Sequence, residues 1–310
     1  MTVATPAASA LPSDATSAES RATTPGPVPA PAAVGHPLRQ RRLWLPLALV
    51  LLVVHLPFLH YAFRGGPAVT QAVPFSDSFD RASLGADWFS NGGHWRLASG
   101  ELYSPGVGNN PLWLKARLPA DVRITFDVRS EATTGDIKWE AFGDGRTHST
   151  GYLFLFGAWD NGGRSGGAGF NRIAKLDEHG FTAEEIKSQL TQLARPYPTR
   201  ATGVEALIDA LRQPLVAWGA RRDLDKLAAG TYFKTGTPLV VKRNDPKVVK
   251  GQRYHMVVTR QGSKLRWEVD GALLLELDDP APLSGTGHDR FGFSSWANDT
   301  YFDSLKIEPL

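Results

Sequence analysis

Residues 264–277 read KLRWEVDGALLLEL, and this stretch decides the fold class. The dipeptide Asp270-Gly271 supplies the positive backbone φ angles that a tight two-residue turn requires. Before the turn, apolar residues alternate with polar ones and therefore share one face of a strand: Leu265, Trp267 and Val269. The stretch predicts an antiparallel β-hairpin with one buried face.

Short strand patterns of the same kind recur between residues 75 and 310. Clear examples lie at 123–128, 152–156 and 254–259, and turn residues separate them. The chain contains 31 Gly and 22 Pro, as a loop-rich β protein requires. Because no regular crossover helices connect these strands, we expect an all-β, antiparallel two-sheet sandwich. The Trp residues near the strands are expected mostly in its core: Trp88, Trp95, Trp139, Trp267 and Trp296.

Four segments carry a resemblance to a known family. They are the opening FSDSFD (75–80), the step WRLASGEL (95–102), the hairpin VDG (269–271) and the closing strands (290–307). Together they resemble the concanavalin A-like lectin/glucanase sandwich, and most closely bacterial domains of the laminin-G and keto-disaccharide-hydrolase-like kind. The resemblance implies a jelly roll whose first and last strands pair. It leaves the function open, because this fold hosts lectins, hydrolases and interaction modules.

The N-terminal part of the chain predicts a membrane tether. Residues 1–42 are rich in Ala, Pro, Ser and Thr, which favours a disordered tail. Residues 43–63 contain no formally charged side chain and would span roughly 30 Å as a helix, the thickness of a bilayer core. Residues 64–74 then form a Gly- and Pro-containing linker. We expect a single transmembrane helix in front of the sandwich, with the lipid bilayer as its partner.

Charge asymmetry predicts the orientation of this helix. Arg39, Arg41 and Arg42 precede the apolar run, whereas only Arg64 follows it closely. By the positive-inside rule the N-terminus is cytoplasmic and the sandwich is periplasmic or extracellular. A cleaved signal peptide is the competing interpretation. The imidazoles within the run are candidate contacts to neighbouring membrane-protein subunits: His55 and His60.

Residues 181–235 depart from the strand pattern and predict a helical insertion. Capping boxes begin at Thr182 and Thr202, and a third helix is expected near Pro214. One interpretation is an amphipathic cover for a sandwich edge. The other is a docking element for a protein partner, since Trp, Tyr and Arg dominate interface energetics. Its candidate anchors are Trp218, Arg221, Arg222 and Tyr232.

The Gly-rich segment 156–170 is the best candidate ligand site. An aromatic platform for the C–H face of a sugar, with polar groups for its hydroxyls, is typical of glycan binding. The segment supplies both through Trp159, Asp160, Asn161 and Arg164. Calcium is a further candidate at Asp160 and Asn161, whose side chains offer oxygen ligands. An ordinary hairpin loop with a half-buried Trp is the alternative.

Several kinds of chemistry are disfavoured by composition and motif. Net charge is +3, from 34 basic and 31 acidic residues, so a nucleic-acid partner is not expected. The absence of Cys excludes thiol chemistry. The His residues are scattered singly and do not have the close spacing of metal ligands. Glu268-Val269-Asp270 begins like the Glu-x-Asp-x-x-Glu motif of β-glucanases, but the second Glu is missing. No cofactor and no catalytic residue is predicted.

These observations predict a non-catalytic, membrane-anchored extracytoplasmic module. Its partner is either a neighbouring membrane protein, for which it serves as an accessory subunit, or a cell-surface glycan. The alternative function is a glycoside hydrolase or related sugar-active enzyme. That alternative requires two carboxyl groups about 5 to 9.5 Å apart in one cleft.

Overall fold

The structure, a computed structural model, describes residues 41–63, 67–163, 169–195, 204–234 and 236–310. Within these ranges the side chains of residues 41–43, 57, 59–63, 205 and 209 are not described. The chain divides into two compact units, Met1–Arg64 and Gly65–Leu310. Most of the predicted tail, residues 1–40, lies outside the described residues.

The first unit contains helix α1, Arg41–Phe63. The apolar side chains of α1 that the structure describes are exposed, including Leu45 and Phe58. The imidazole of His55 donates to the carbonyl of Leu51 at 2.7 Å, whereas the side chain of His60 lies outside the described residues. Among the side chains that the structure describes, no helix is long and apolar enough to cross a membrane. The membrane span expected over 43–63 stays a prediction.

The second unit is a β-sandwich. Its strands in the described residues are β1 Phe75–Asp77, β2 Trp88–Phe89, β3 Arg96–Ala98, β4 Glu101–Pro105, β5 Leu112–Leu114, β6 Val122–Ser130, β7 Ile137–Gly143, β8 Tyr152–Phe156, β9 Asn171–Lys175, β10 Leu239–Arg243, β11 Arg253–Gln261, β12 Lys264–Val269, β13 Ala272–Asp278, β14 Arg290–Ser295 and β15 Asp299–Pro309. The short α2, Ala158–Asn161, follows β8, and helices α3, Ala183–Leu193, and α4, Val204–Ala228, lie between β9 and β10.

Two antiparallel sheets face each other in this unit. The eight-stranded sheet has the order β13-β12-β11-β6-β15-β4-β3, with β1 added to β15, and the seven-stranded sheet has the order β10-β9-β8-β7-β14-β5-β2. The first and last strands pair, with Phe75 opposite Ile307. The predicted all-β, antiparallel, jelly-roll-like sandwich is therefore confirmed.

The hairpin predicted at residues 264–277 forms as expected. Asp270 and Gly271 have φ angles of 51° and 80°, and they connect β12 to β13. On β12, Leu265 and Trp267 are completely buried. Glu268 lies on the opposite face of the same strand, 3.8 Å from Arg266. The Glu-Val-Asp sequence thus forms the end of β12 and the first residue of the turn.

Aromatic rings fill the space between the sheets. Trp139 on β7 stacks on Phe154 at 5.3 Å and meets the edge of Trp267 at 5.0 Å. The ring centres of Phe293 on β14 and Phe302 on β15 lie 4.3 Å apart, and this contact connects the two sheets. Edge-to-face and offset rings of this kind add stabilisation beyond the buried area itself. The prediction that most Trp residues are in the core is right, but Trp296 is 51% exposed.

The helical insertion begins along an edge of the sandwich. The backbone N–H of Val240 on edge strand β10 donates to the carbonyl of Phe181 at 3.2 Å. Thr182 caps α3 by accepting from the Glu185 N–H, and the Glu185 carboxylate accepts from the Thr182 N–H, which confirms the first capping box. The N-terminal part of the insertion therefore shields strand groups that would otherwise face water.

Helix α4, the second helix of the insertion, is longer than predicted. Helix α4 runs without a break from Val204 to Ala228 and includes Pro214, so no third helix starts there. Proline removes one hydrogen bond to the carbonyl four residues earlier. That carbonyl belongs to Ala210, which is exposed, so water can satisfy it. The second predicted capping box, at Thr202, lies outside the described residues.

Candidate functional site

The outward face of the seven-stranded sheet carries a charged row beneath a covering of loops. Strand register aligns five residues across five neighbouring strands: Ser294, Lys138, Leu155, Arg172 and Lys242. Lys138 and Arg172 are only 3% and 6% exposed. Buried charges require partners, because leaving them unpaired in a low-dielectric environment is costly. Glu178, on the loop after β9, partners both of them.

Glu178, on that loop, is the partner of Lys138. The Lys138 Nζ donates to Glu178 Oε2 at 2.8 Å and to Asn109 Oδ1 at 3.0 Å. Burial by itself would raise the pKa of Glu178, but hydrogen bonding and charge from His148 and Lys138 outweigh it and lower that pKa to about 2. Glu178 is therefore a fixed anion at neutral pH.

His148 bridges Glu178 to a second carboxylate on the sheet. Its Nδ1 lies 3.4 Å from Glu140 Oε2, and its Nε2 lies 3.5 Å from Glu178 Oε2. Burial lowers the pKa of His148, but the two carboxylates more than compensate and raise it above its ordinary value. Glu140 is completely buried and accepts the backbone N–H groups of Thr150 at 2.8 Å and Gly151 at 2.6 Å. The imidazole thus holds two anions together.

The loop after β8 has an unusual backbone. Trp159, Asp160 and Asn161 adopt left-handed φ angles of 51°, 62° and 49°, between Gly157 and Gly162, which do the same. Runs of non-glycine residues in this region are strained and persist only where the surroundings hold them. The Asn161 amide supplies part of that hold: its Oδ1 accepts the Val248 N–H at 2.8 Å, and its Nδ2 donates to Val248 O at 3.0 Å and to Thr133 O at 3.2 Å.

Trp159 is positioned by charged neighbours on the sheet. The Arg172 guanidinium carbon lies 4.3 Å from the centre of the Trp159 ring, which is close cation–π geometry. The His179 ring lies 5.3 Å from Trp159 on a tilted plane. Burial lowers the pKa of Arg172 to about 10, and the group remains a cation at neutral pH. The indole is therefore fixed at the rim of the charged row.

These elements surround a pocket of about 600 Å³. Two Trp side chains line it, one from the strained loop and one from the turn between β14 and β15. Three carboxylates, one ammonium and several amide or hydroxyl groups complete the wall. The lining residues are Asn109, Ala132, Thr134, Asp136, Lys138, Trp159, Asp160, Glu178, His179, Trp296, Ala297 and Asn298.

The candidate ligand residues have different positions. Trp159 and Asp160 line the pocket. Asn161 does not line it, and its amide is used to tie the loop to Val248 and Thr133, which leaves its oxygen engaged. Arg164 lies outside the described residues. Within the described ranges no group of three or more His, Asp or Glu side chains is arranged to hold a metal ion.

Of the candidate partner-binding residues, three lie on one helix and the others lie elsewhere. Trp218, Arg221 and Arg222 are exposed on the C-terminal half of α4, and the Arg222 guanidinium carbon lies 5.0 Å from the Trp218 ring centre. Tyr232 follows the helix, is half-buried, and contacts Phe233 edge-on at 5.3 Å. His55 belongs to the other compact unit.

No sequence pattern marks Lys138, His148, Glu178 and Trp296 as a group. Lys138 and Glu140 alternate with apolar residues in β7, a pattern that normally indicates a solvent-facing side. Full burial of every residue in β7 results from loops distant in the sequence, which a local pattern does not report. The one sequence feature that points to this site is the pair of opposite charges, Lys138 and Glu140, on either side of Trp139 in β7.

The chain is similar to solved structures of β-sandwich proteins, at low sequence identity. No family model matches it, and no curated protein matches it. Among solved structures, the carbohydrate-binding module CBM66 from Bacillus subtilis is similar with a TM-score of 0.42 and 13% identity, over 72% of this chain and 95% of that chain. Domain 4 of AbnA, a GH43 extracellular arabinanase from Geobacillus stearothermophilus in complex with arabinotriose, has a TM-score of 0.40 and 10% identity, over 76% and 91%. Sheep galectin-11 has a TM-score of 0.31 and 8% identity, over 63% and 92%. At this level of similarity the comparisons say nothing about the ligand or activity of this chain.

Proposed function

We propose that the sandwich is a non-catalytic glycan-binding module and that its site is the pocket lined by Trp159 and Trp296. The observation that carries this proposal is the combination of two indoles with carboxylates, amides and a hydroxyl around one cavity of about 600 Å³. Sugars offer apolar C–H faces to aromatic rings and hydroxyls to polar side chains. A cavity of this size accommodates a short oligosaccharide segment.

The polar groups of the pocket are held in place before a ligand arrives. The Thr134 hydroxyl donates to Asn298 Oδ1 at 2.9 Å, and the Asn298 amide donates to the carbonyl of Gly135. Lys138 is fixed between Asn109 and Glu178. Pre-positioned groups reduce the ordering that binding requires, and this favours affinity for a polar ligand.

The electrostatics of Glu178 favour binding over hydrolysis. Glycoside hydrolysis needs a carboxylic acid whose pKa is raised so that it can protonate the leaving oxygen. The pKa of Glu178 is shifted in the opposite direction, to about 2, and its Oε2 contacts both Lys138 and His148. Incubation with the bound glycan, followed by assay of new reducing ends, tests this. If wild type releases more reducing ends than the Glu178→Gln control, the protein is a glycoside hydrolase and not a binding module.

We also propose the location that the sequence predicts. A tether over residues 43–63, with the sandwich outside the cytoplasm, would present the pocket to cell-surface glycans. Alkaline carbonate extraction of membranes tests the tether, and protease treatment of intact spheroplasts tests the side. Release of the full-length protein by carbonate, or protection from protease, would contradict this location. Stoichiometric membrane proteins co-purifying in mild detergent would instead favour the accessory-subunit hypothesis.

A binding experiment with matched Trp variants tests the function itself. Full-length protein in detergent is screened against immobilised neutral and acidic oligosaccharides, and the best ligand is titrated calorimetrically. We expect Trp296→Ala to weaken binding at least tenfold. Trp218→Ala is the control, because Trp218 is 60% exposed and lies on α4, outside the pocket. Equal affinities for the two variants, or no ligand in the screen, would refute the proposal.

A further inference from the structure

His148 lies between two carboxylates from different parts of the fold. Its Nδ1 is 3.4 Å from Glu140 Oε2 on β7, and its Nε2 is 3.5 Å from Glu178 Oε2 on the loop after β9. Both ring nitrogens are buried, and among the described residues no other group hydrogen-bonds to either of them. A ring with a carboxylate on each side needs an N–H on each nitrogen, and only the protonated imidazole has two. The geometry is therefore that of an imidazolium.

Loss of the proton makes one of these two contacts unfavourable. Neutral imidazole has one N–H and one lone pair, so one carboxylate then faces a nitrogen lone pair. Glu140 is completely buried and is held by the backbone N–H groups of Thr150 at 2.8 Å and Gly151 at 2.6 Å. The side chain of Glu178 is 15% exposed and lies on a loop. Glu178 is therefore the carboxylate that moves away from a neutral ring.

Glu178 connects His148 to the pocket. Glu178 and His179 are part of the pocket wall. The backbone carbonyl of Glu178 accepts from Arg172 Nη1 at 2.8 Å, and the Arg172 guanidinium carbon lies 4.3 Å from the centre of the Trp159 ring. Lys138 donates to Glu178 Oε2 at 2.8 Å and remains beside it when the imidazole loses its charge. Deprotonation should therefore loosen the wall without detaching it.

We propose that His148 is a pH-dependent latch: its protonated ring holds the loop of residues 176–180 in place, and its deprotonation loosens that loop and weakens ligand binding. The effect on binding rests on the glycan-binding function proposed above, whereas the latch itself does not. Burial lowers the pKa of His148, but Glu140 and Glu178 more than compensate and raise it above the ordinary value of 6.5. The latch is therefore closed at low pH, and it opens as pH rises through that raised pKa.

The other titratable groups around the latch define the controls. Glu178, with a pKa of about 2, stays an anion between pH 5.5 and 8.5, and Arg172, with a pKa of about 10, stays a cation. Two further imidazoles contact the same region. His179 Nε2 lies 3.5 Å from Glu178 Oε1, and His288 contacts the backbone of the loop that carries His148. Each of the two needs a variant of its own.

Hydrogen–deuterium exchange of the full-length protein in mild detergent tests the latch without a ligand. Rates at pH 5.5 and 8.5 are divided by those of unstructured peptides, which removes the intrinsic pH dependence of exchange. In wild type we expect protection of residues 176–180 to fall at least about fivefold between the two pH values, with no change in the hairpin 264–277. Equal protection of residues 176–180 at both pH values would overturn the proposal, and this measurement needs no variant.

Three variants identify the imidazole that is responsible. His148→Gln has no titratable ring, so residues 176–180 should show the low protection at both pH values. His179→Gln and His288→Gln should behave like wild type. If His179→Gln or His288→Gln abolishes the pH dependence and His148→Gln retains it, His148 is not the latch.

Calorimetric titration with the best oligosaccharide from the screen, at the same two pH values, tests the effect on binding. Wild type should bind at least about fivefold more weakly at pH 8.5 than at pH 5.5, and His148→Gln should have one low affinity at both. The same wild-type affinity at both pH values would refute the coupling of the latch to the pocket. If no oligosaccharide binds at either pH value but residues 176–180 still lose protection, the glycan-binding function fails and the latch is supported.

Discussion

Replacing Glu178 by Gln is the most informative perturbation of the charged row. The substitution keeps the shape of the side chain but removes the anion that Lys138 and His148 contact at 2.8 and 3.5 Å. A carboxyl whose pKa is lower in the folded state stabilises the fold above its unfolded pKa. That stabilisation disappears as pH falls through the folded-state pKa. Wild type and Glu178→Gln should therefore differ most at moderate pH and least in acid.

The magnitude follows from the size of the pKa shift. Lowering the pKa from 4.5 to about 2 corresponds to on the order of 3 kcal/mol of folding free energy. We expect Glu178→Gln to be about 3 kcal/mol less stable at pH 5.5 and only about 1 kcal/mol less stable at pH 2.5. The range stays below pH 6 because the raised pKa of His148 keeps the imidazole protonated there.

Urea denaturation followed by Trp fluorescence, at half-unit steps from pH 5.5 to 2.5, measures this difference. Glu276→Gln is the matched control, since Glu276 forms a half-exposed ion pair with Lys264 at 3.0 Å. Such surface pairs contribute at most about 1 kcal/mol. A constant difference between wild type and Glu178→Gln across the range would refute the assignment of Glu178 as the partly buried anion of the site.

Three further substitutions test the packing. Gly292→Ala should lose about 1 to 3 kcal/mol, because its Cβ would lie 2.8 Å from Cε3 of Trp113, and an unchanged melting temperature would contradict that contact. Trp267→Ala should lose about 3 to 5 kcal/mol in urea unfolding, since the side chain is completely buried, and a loss under 1 kcal/mol would place it outside the core. Asn161→Ala removes three hydrogen bonds from the loop that carries Trp159 and should speed amide exchange at residues 157–162, whereas unchanged exchange would show that another contact holds this loop.

The fold could be predicted from sequence because its determinants are local. Asp270-Gly271 fixes a turn, alternation in β12 fixes the buried face, and the Thr182 to Glu185 spacing marks a helix start. The continuity of α4 through Pro214 was missed, because a proline is tolerated where the carbonyl it leaves free can reach water. Local propensity does not report that exposure.

The site could be predicted only in part. The Gly-rich loop singled out Trp159 and Asp160, which do line the pocket. Lys138, Glu178 and Trp296 come from distant segments. They meet at one end of the sheet because β7 pairs with β14 and β8, and β8 pairs with β9. Trp296 was expected in the core because it follows a buried strand, yet the turn after β14 directs it outward.

Binding of a glycan in the pocket between Trp159 and Trp296 can be observed at the indoles themselves. The chain has 9 Trp residues, and each gives one indole N–H signal in a nitrogen-15 spectrum of the full-length protein. Single Trp→Phe variants assign these signals. On titration with the best oligosaccharide from the screen, we expect shifts for Trp159 and Trp296 and none for Trp218. Shifts confined to Trp218, or none at saturating ligand, would contradict it.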